Sequence, residues 1–183
     1  LRHLFTTIRK NHSDLFYKDN DFSGPNRGHI QCIMITYERL EEGHFGILGV
    51  KRERTVVTLS LHDKSNAFNT FDREWALESL SLKGSTKQLI ANMINSQSSF
   101  VVRTKRAKSN VYYLNTGGPQ GQCGTAEIFA SVSKRIEPPQ VSHIDATAKV
   151  YRNDYVDDTS DVTIAQKTHI EQINNTVDKK LEE

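Results

Sequence analysis

Two hydrophobic periods alternate along this chain. Helices are predicted where apolar residues recur every three or four positions, over 1–17, 30–43, 72–84 and, after a break, 85–96, then 125–136 and 168–183. Strands are predicted where the period is two or β-branched and aromatic residues dominate, at 55–63, 98–106, 111–115 and 148–164. The strand 55–63 alternates at Val57, Leu59 and Leu61 and ends on Asp63. Because helices and strands interleave, the pattern indicates an α+β or α/β fold.

Composition and charge narrow the class of protein. The 183 residues are 36% hydrophobic and 25% charged, which is typical of one folded domain, or of one domain plus part of a second. The formal charge of +2 does not by itself indicate nucleic-acid binding, which requires clustered cations. Cys32 and Cys123 are too few for a disulfide scaffold, and no apolar run is long enough to span a membrane. We expect a reducing intracellular setting, cytoplasmic or nuclear, and no membrane partner.

Carboxylates lie at two places where strands are predicted to end. Asp63 ends the strand 55–63, and Asp157 and Asp158 are adjacent in "YVDD", at the predicted tip of a hairpin. Adjacent carboxylates repel each other, and burying them is unfavourable without a cation. Two interpretations remain open: a solvated acidic turn, or a site for a hard cation such as Mg²⁺, as two-metal phosphoryl transfer uses.

The stretch "GGPQG" at 117–121 predicts a stiff turn before the helix 125–136. Pro119 restricts the backbone, whereas Gly118 and Gly121 permit the close approach of another group. Taken alone, this stretch is also typical of an ordinary tight turn.

Three stretches taken together resemble the palm of reverse transcriptases. "DKSNAFN" (63–69) is similar to the first palm motif, in which an aromatic residue follows the aspartate by five positions. "GGPQGQCGTAEIF" (117–129) resembles the Pro-Gln-Gly motif with its following helix, and "YVDD" (155–158) resembles the catalytic hairpin. Their order along the chain also matches that of the family. The residues within the motifs resemble those of retroelement enzymes, such as those of retrotransposons, more than those of a particular retrovirus.

The resemblance implies an α+β polymerase palm over 55–183, with an antiparallel sheet that carries the helices 72–96 and 125–136 on one face. Residues 1–54 would be part of the fingers. The implied activity is RNA-directed DNA polymerisation, a nucleotidyl transfer to a primer 3′-hydroxyl. An RNA template, a DNA primer and deoxynucleoside triphosphates are the implied partners. We expect the thumb and further domains to lie in a longer protein, and these 183 residues alone to be inactive.

The resemblance also assigns roles to single positions. Asp63, Asp157 and Asp158 would be the catalytic, metal-binding triad for Mg²⁺, with Mn²⁺ as the alternative ion, and the carbonyl of Lys64 would complete a site. The backbone at Asn66 and Ala67 would face the triphosphate. Phe68 would lie beneath the sugar and exclude a 2′-hydroxyl. The substrate-binding residues Gln120 and Gly121 would lie near the template and the nascent base pair.

A second class of function remains open, namely a degenerate palm that no longer catalyses and serves as a platform for nucleic acid or protein. Its support comes from departures from the family pattern: Ser60 and His62 are polar within the strand before Asp63, and "YRND" precedes the hairpin. The retention of all three aspartates and of Phe68 favours the enzyme.

Basic residues outside the three motifs have two interpretations. Arg27 and the cluster Lys51, Arg52 and Arg54 precede the first motif, where fingers residues of this family contact template or triphosphate; the alternative, favoured for any single one of them, is an exposed, solvated charge. "RTKRAK" (103–108) either grips a nucleic-acid backbone electrostatically or forms a solvated hairpin tip.

Overall fold

A computed structural model of the chain describes residues 2–11, 13–17, 19, 21–24, 26–46, 55–80, 82–96 and 99–182. The helices are α1 (Arg2–Asn11), α2 (His29–Phe45), α3 (Ala67–Thr70), α4 (Arg73–Ser79), α5 (Gly84–Ser96), α6 (Thr125–Ser133) and α7 (Ile170–Glu182). The strands are β1 (Thr55–Asp63), β2 (Ser99–Phe100), β3 (Tyr112–Tyr113), β4 (Lys149–Tyr155) and β5 (Asp158–Gln166). The cluster Lys51, Arg52 and Arg54 lies outside the described residues.

The predicted α+β class is confirmed, and the chain forms two compact units, each built from two stretches. The helical unit comprises Leu1–Tyr17 and Ser65–Arg135, and the sheet unit comprises Lys18–Lys64 and Ile136–Glu183. The expected division into fingers (1–54) and palm (55–183) concerns polymerase subdomains and stays a prediction. Along the described ranges, no helix has both the length and the apolarity that crossing a membrane requires.

The sheet of the sheet unit has three antiparallel strands in the order β1-β5-β4. β4 and β5 form the predicted hairpin, and β1 pairs with β5 along its whole length, from Thr55 opposite Gln166 to Asp63 opposite Asp158. The predicted strands at 55–63 and in 148–164 are therefore confirmed. The predicted pair around the basic turn also forms, but β2 and β3 make a separate two-stranded sheet.

Helix α2 packs on one face of this sheet. Gly43 permits its close approach, since a Cβ there would lie 2.2 Å from Val57 Cγ2. On the same face, the Glu42 carboxylate accepts hydrogen bonds from Lys149 Nζ at 2.6 Å and from the Tyr151 hydroxyl. The bond from Lys149 is the main reason that the pKa of Glu42 lies below its ordinary value, and the same bond raises the pKa of Lys149.

Helix α7 packs on the opposite face. Its buried residues Ile173 and Val177 join Ala165 of β5 and Val141 in a small apolar cluster. The predicted helices at 72–96 and 125–136 belong to the helical unit, where α4 packs on α5 and α6. Their expected packing on the sheet stays a prediction. Amphipathic periodicity shows that a helix buries one face, but it does not identify the surface that covers it.

The burial of β1 does not follow its hydrophobic alternation. Leu59 and Leu61 are 41% and 74% exposed, whereas the polar residues Ser60 and His62 between them are half-buried. Ser60 is opposite Asp161 and His62 is opposite Thr159, and both partners are fully buried in β5. Register alone does not set the pattern, because the exposed Leu59 is opposite Val162, which is also fully buried.

The core of the helical unit is mainly aromatic and aliphatic. α1, the segment after it and helices α3 to α6 contribute Phe5, Phe16, Tyr17, Ala67, Phe71, Ala76, Leu80, Ile90, Met93, Ile94, Ile128, Phe129, Ala130 and Val132. Gly124 allows α1 to approach the start of α6, since a Cβ there would lie 2.7 Å from the Phe5 ring. This core supports the turn that carries the Pro-Gln-Gly motif.

Candidate active site

Two of the three predicted carboxylates meet at the end of the sheet. Asp63, the last residue of β1, is the direct cross-strand partner of Asp158, the first residue of β5. Directly opposite residues of an antiparallel pair have Cβ atoms about 4.5–5.5 Å apart and project from the same face. Both aspartates are exposed. The fold therefore places two solvent-accessible carboxylates side by side.

Asp157 lies in the two-residue loop of the hairpin, together with Val156. Val156 has φ +59°, which is rare for a β-branched residue and indicates a strained backbone at the tip. The Asp157 carbonyl accepts a hydrogen bond from the Lys64 amide at 3.2 Å. The residue that follows Asp63 is thus tied to the hairpin loop, which holds Asp157 close in the fold to the other two aspartates.

Lys64 also supports the hairpin through its side chain. Its ammonium donates to the Thr159 hydroxyl at 2.7 Å and lies 3.5 Å from Asp154 Oδ1, and Thr159 in turn donates to Asp154 Oδ1 at 2.6 Å. Thr159 and Asp154 are buried cross-strand partners. The sequence assigned only the Lys64 carbonyl to the site. The structure adds a positioning role for its side chain.

A loop segment packs along the same hairpin strand. Asp21 forms a parallel bridge with Asp154, and the Phe22 amide donates to the Asp154 carbonyl at 2.8 Å. Burial raises the pKa of Asp21, and hydrogen bonds from Ser23 oppose that shift. Arg27 donates to the Asp21 carbonyl at 3.1 Å. Arg27 also donates to the Asp19 carbonyl at 2.6 Å, so these bonds order the loop itself.

A buried ion pair joins the two strands of the hairpin, β4 and β5. Arg152 forms a two-pronged interaction with Asp161, at 2.9 Å through Nε and 2.7 Å through Nη2, and their side chains are 1% and 0% exposed. His62 Nε2 lies 3.6 Å from the same carboxylate. These contacts explain two departures noted in the sequence, the polar His62 in β1 and the arginine of "YRND" in β4.

The donor atoms at the hairpin suit a hard cation, since carboxylate oxygens are the ligands that Mg²⁺ and Mn²⁺ prefer. Among the described residues, no three His, Cys, Asp or Glu side chains are arranged to hold a metal ion. Mg²⁺ is usually bound through one or two carboxylates, waters and substrate phosphates, so this arrangement says nothing against an ion that arrives with a substrate.

The turn before α6 docks on α3 within the helical unit. The Gly118 amide donates to the Phe68 carbonyl at 2.7 Å, and the Gly117 amide donates to the Phe71 carbonyl at 2.8 Å. The Arg73 guanidinium donates to the Gly117 carbonyl at 2.7 Å. The Pro-Gln-Gly turn and the residues after the first motif are therefore held together by backbone hydrogen bonds.

Gly117 makes the closest approach in this turn. It has φ +59°, and a Cβ there would lie 2.3 Å from the carbonyl carbon of Asn69. At Gly118 a Cβ would lie 2.9 Å from Thr125 Cγ2, whereas at Gly121 (φ +78°) it would meet no atom within 4 Å. The expected close approach is confirmed at Gly118. Gly121 is required for its backbone conformation, and the sequence analysis missed Gly117.

The remaining predicted residues also lie in the helical unit. Asn66, with φ +53°, precedes the first turn of α3, where Ala67 is buried. Phe68 is half-buried, with its ring centroid 5.0 Å from that of Phe129. Gln120 is exposed on the turn. Their roles toward template and nucleotide stay predictions.

The chain resembles known proteins in structure but not in sequence. No family model and no curated protein sequence matches the chain. Among solved structures, the chain is similar to telomerase from Candida albicans, solved in complex with the TWJ fragment of telomeric RNA, with 12% identity and a TM-score of 0.56. The match covers 100% of this chain and 31% of the telomerase chain. At this identity the similarity shows the fold, which is compatible with that of a polymerase.

Proposed function

We propose that this chain is the palm region, with part of the fingers, of an RNA-directed DNA polymerase of the retroelement type. The observation that carries the proposal is the pairing of Asp63 with Asp158 at the start of a hairpin whose loop holds Asp157. The proposal rests on three motifs that are far apart in the sequence. Two of them, the motif that begins at Asp63 and the "YVDD" hairpin, meet at this end of the sheet. The similarity to a telomerase that was solved with RNA supports the same class.

In the proposed reaction the oxygen of a primer 3′-hydroxyl attacks the α-phosphorus of a deoxynucleoside triphosphate, the bond from that phosphorus to the bridging oxygen of the β-phosphate breaks, and pyrophosphate leaves while the hydroxyl proton is lost to solvent. Divalent cations, when bound, lower the pKa of that hydroxyl and neutralise charge on the phosphates. Asp63, Asp157 and Asp158 would hold these cations. The backbone bond between Lys64 and Asp157, and the contact of Lys64 with Thr159, join the end of β1 to the hairpin that carries Asp157 and Asp158. The protein's contribution is therefore positioning and electrostatic stabilisation.

The second candidate is a degenerate palm that binds nucleic acid without catalysis. The packing of Phe68 against Phe129 favours this second candidate, because an aromatic residue with a purely structural role would make the same contact. The two candidates differ in one measurable property, since only the enzyme requires a cation at the paired carboxylates.

The test is the melting temperature of the 183-residue chain with millimolar Mg²⁺ and a deoxynucleoside triphosphate. The enzyme proposal predicts that the two ligands together raise the melting temperature by linkage. The shift should disappear in Asp63→Asn and Asp158→Asn. It should persist in Asp178→Asn, a control for charge at an exposed position of α7. An equal shift in all four proteins would contradict a site at Asp63 and Asp158.

Catalysis itself is tested in a longer protein in which a polymerase thumb follows these 183 residues. Primer extension on an RNA template should be lost in Asp63→Asn and Asp158→Asn and retained in Asp178→Asn. Retention of extension in the first two variants would exclude the proposed triad.

A further inference from the structure

The charge of this chain is distributed unevenly. Residues 79–126 contain no Asp or Glu but six basic residues: Lys83, Lys87, Arg103, Lys105, Arg106 and Lys108. Because the net charge of the whole chain is only +2, the rest of the sequence is net acidic. A local excess of cations of this kind is the electrostatic footprint of a polyanion partner.

Four of these cations are concentrated on one hairpin. The basic hairpin, residues 99–113, begins with β2 and ends with β3, and a bridge between Arg103 and Lys108 closes its tip. The tip is ordered by backbone bonds, from the Thr104 amide to the Ala107 carbonyl and from the Ser109 amide to the Val102 carbonyl. All four basic side chains are exposed. The ion pairs formed among the described residues do not involve them.

Aromatic rings accompany these cations at the base of the hairpin. Tyr112 stacks on Phe100, with centroids 5.3 Å apart and an interplanar angle of 23°. Tyr113 is 74% exposed. Exposed rings on a hairpin of unpaired cations do not contribute to a core. Rings and cations together suit a single-stranded nucleic acid, because its bases stack on aromatic faces and its phosphates bind positive charges.

We propose that the basic hairpin is a binding site for single-stranded nucleic acid. Tyr113, and Tyr112 on Phe100, stack on unpaired bases, and the cations from Arg103 to Lys108 contact the phosphates. The site uses neither the paired carboxylates nor a divalent cation, so this proposal does not depend on the polymerase proposal. An acidic protein surface would use the cations but not the rings, and a duplex would leave the rings without unstacked bases.

The test is fluorescence anisotropy of labelled oligouridylate and oligodeoxythymidylate of about 12 nucleotides, a length within the site sizes of single-strand binders. The 183-residue chain is titrated in EDTA over a series of salt concentrations. Each phosphate contact on a single strand contributes about −0.7 to the slope of log K against log salt. Four contacts therefore predict a slope near −3 for the wild type.

Two variants separate charge from stacking. R103Q/K105Q/R106Q/K108Q should remove most of this slope, while K10Q/R135Q/K167Q/K179Q, with the same charge change at exposed positions elsewhere, should retain it. Tyr113→Ala should weaken binding about tenfold without changing the slope, since stacking is independent of salt. Tyr37→Ala, at a tyrosine that is 62% exposed, is its control.

Each outcome decides the proposal. Binding of the RNA probe, the DNA probe or both, with these two signatures, supports it and identifies the nucleic acid. Equal losses in the two quadruple variants, no effect of Tyr113→Ala, or equal affinity for a duplex of the same length would overturn it. Stronger binding to phosphatidylserine vesicles than to either probe would assign the hairpin to a lipid surface and overturn it as well.

Discussion

Arg152 and Asp161 face each other across β4 and β5 and form a two-pronged ion pair from which solvent is almost completely excluded. Removing one partner of such a pair leaves an uncompensated buried charge, which typically costs about 3–5 kcal/mol. Replacing both partners by apolar residues of similar volume is often neutral or stabilising. The pair therefore allows a double-variant test of whether charge or apolar packing stabilises this part of the sheet better.

We expect Arg152→Met to lower the free energy of unfolding by about 3–5 kcal/mol. The double variant R152M/D161L should recover most of that loss. Urea unfolding of the wild type and the two variants checks this. If the double variant lost as much stability relative to the wild type as Arg152→Met does, the ion pair would contribute net stability and the expectation would be wrong.

Gly117→Ala should disrupt the turn before α6. The new Cβ would overlap the backbone of Asn69, which cannot move without displacing α3, so we expect a loss above about 3 kcal/mol. Gly121→Ala is the matched control, because its φ is also positive but the surrounding space is open; it should lose about 1–2 kcal/mol. Thermal unfolding of both variants measures the difference. Similar losses would show that conformation alone, and not the close approach, requires Gly117.

Glu42 gives a pH dependence with a definite sign. Its pKa in the folded chain lies below the ordinary value of 4.5, mainly because Lys149 donates a hydrogen bond to it. A carboxyl group with a lowered pKa contributes stability above its unfolded pKa, and that contribution is lost as the pH falls through the folded pKa. Glu42→Gln should therefore lose about 1 kcal/mol at pH 7, a value reduced for partial exposure, and progressively less below pH 4.5.

Glu41→Gln, at an exposed neighbouring position of α2, is the control and should be neutral at both ends of this range. Chemical unfolding at a series of pH values compares the two variants with the wild type. A constant difference between Glu42→Gln and the wild type from pH 7 to pH 3 would show that packing, and not charge, is lost.

Phe68 tests the type of polymerase that we propose. A ring beneath the sugar leaves little room for a 2′-hydroxyl and offers it no hydrogen bond. In the longer protein, Phe68→Val should raise the incorporation of ribonucleotides relative to deoxyribonucleotides, as measured by primer extension with each nucleotide type. Phe129→Leu is the control for packing, since it alters the contact of the two rings without removing Phe68. An equal fall with both nucleotide types in Phe68→Val would assign Phe68 to packing alone.

Much of the secondary structure could be predicted from local pattern. β1 has the predicted bounds, the hairpin turns within "YVDD", α2 and α7 begin and end within two residues of their predicted bounds, and α6 begins as predicted but ends three residues early. The reason is that the period of hydrophobic positions and the turn residues act over a few neighbouring positions. The short helix α3 was missed, because one turn of helix has too few apolar positions to show a period.

The sequence by itself also determined the candidate chemistry: three aspartates, a Pro-Gln-Gly turn and a run of cations. Only the tertiary structure decided which of these groups meet. Asp63 is opposite Asp158, Lys64 reaches Thr159, 95 residues later, and Gly117 rests on Asn69. Such contacts depend on register and packing between distant segments, which no local period encodes.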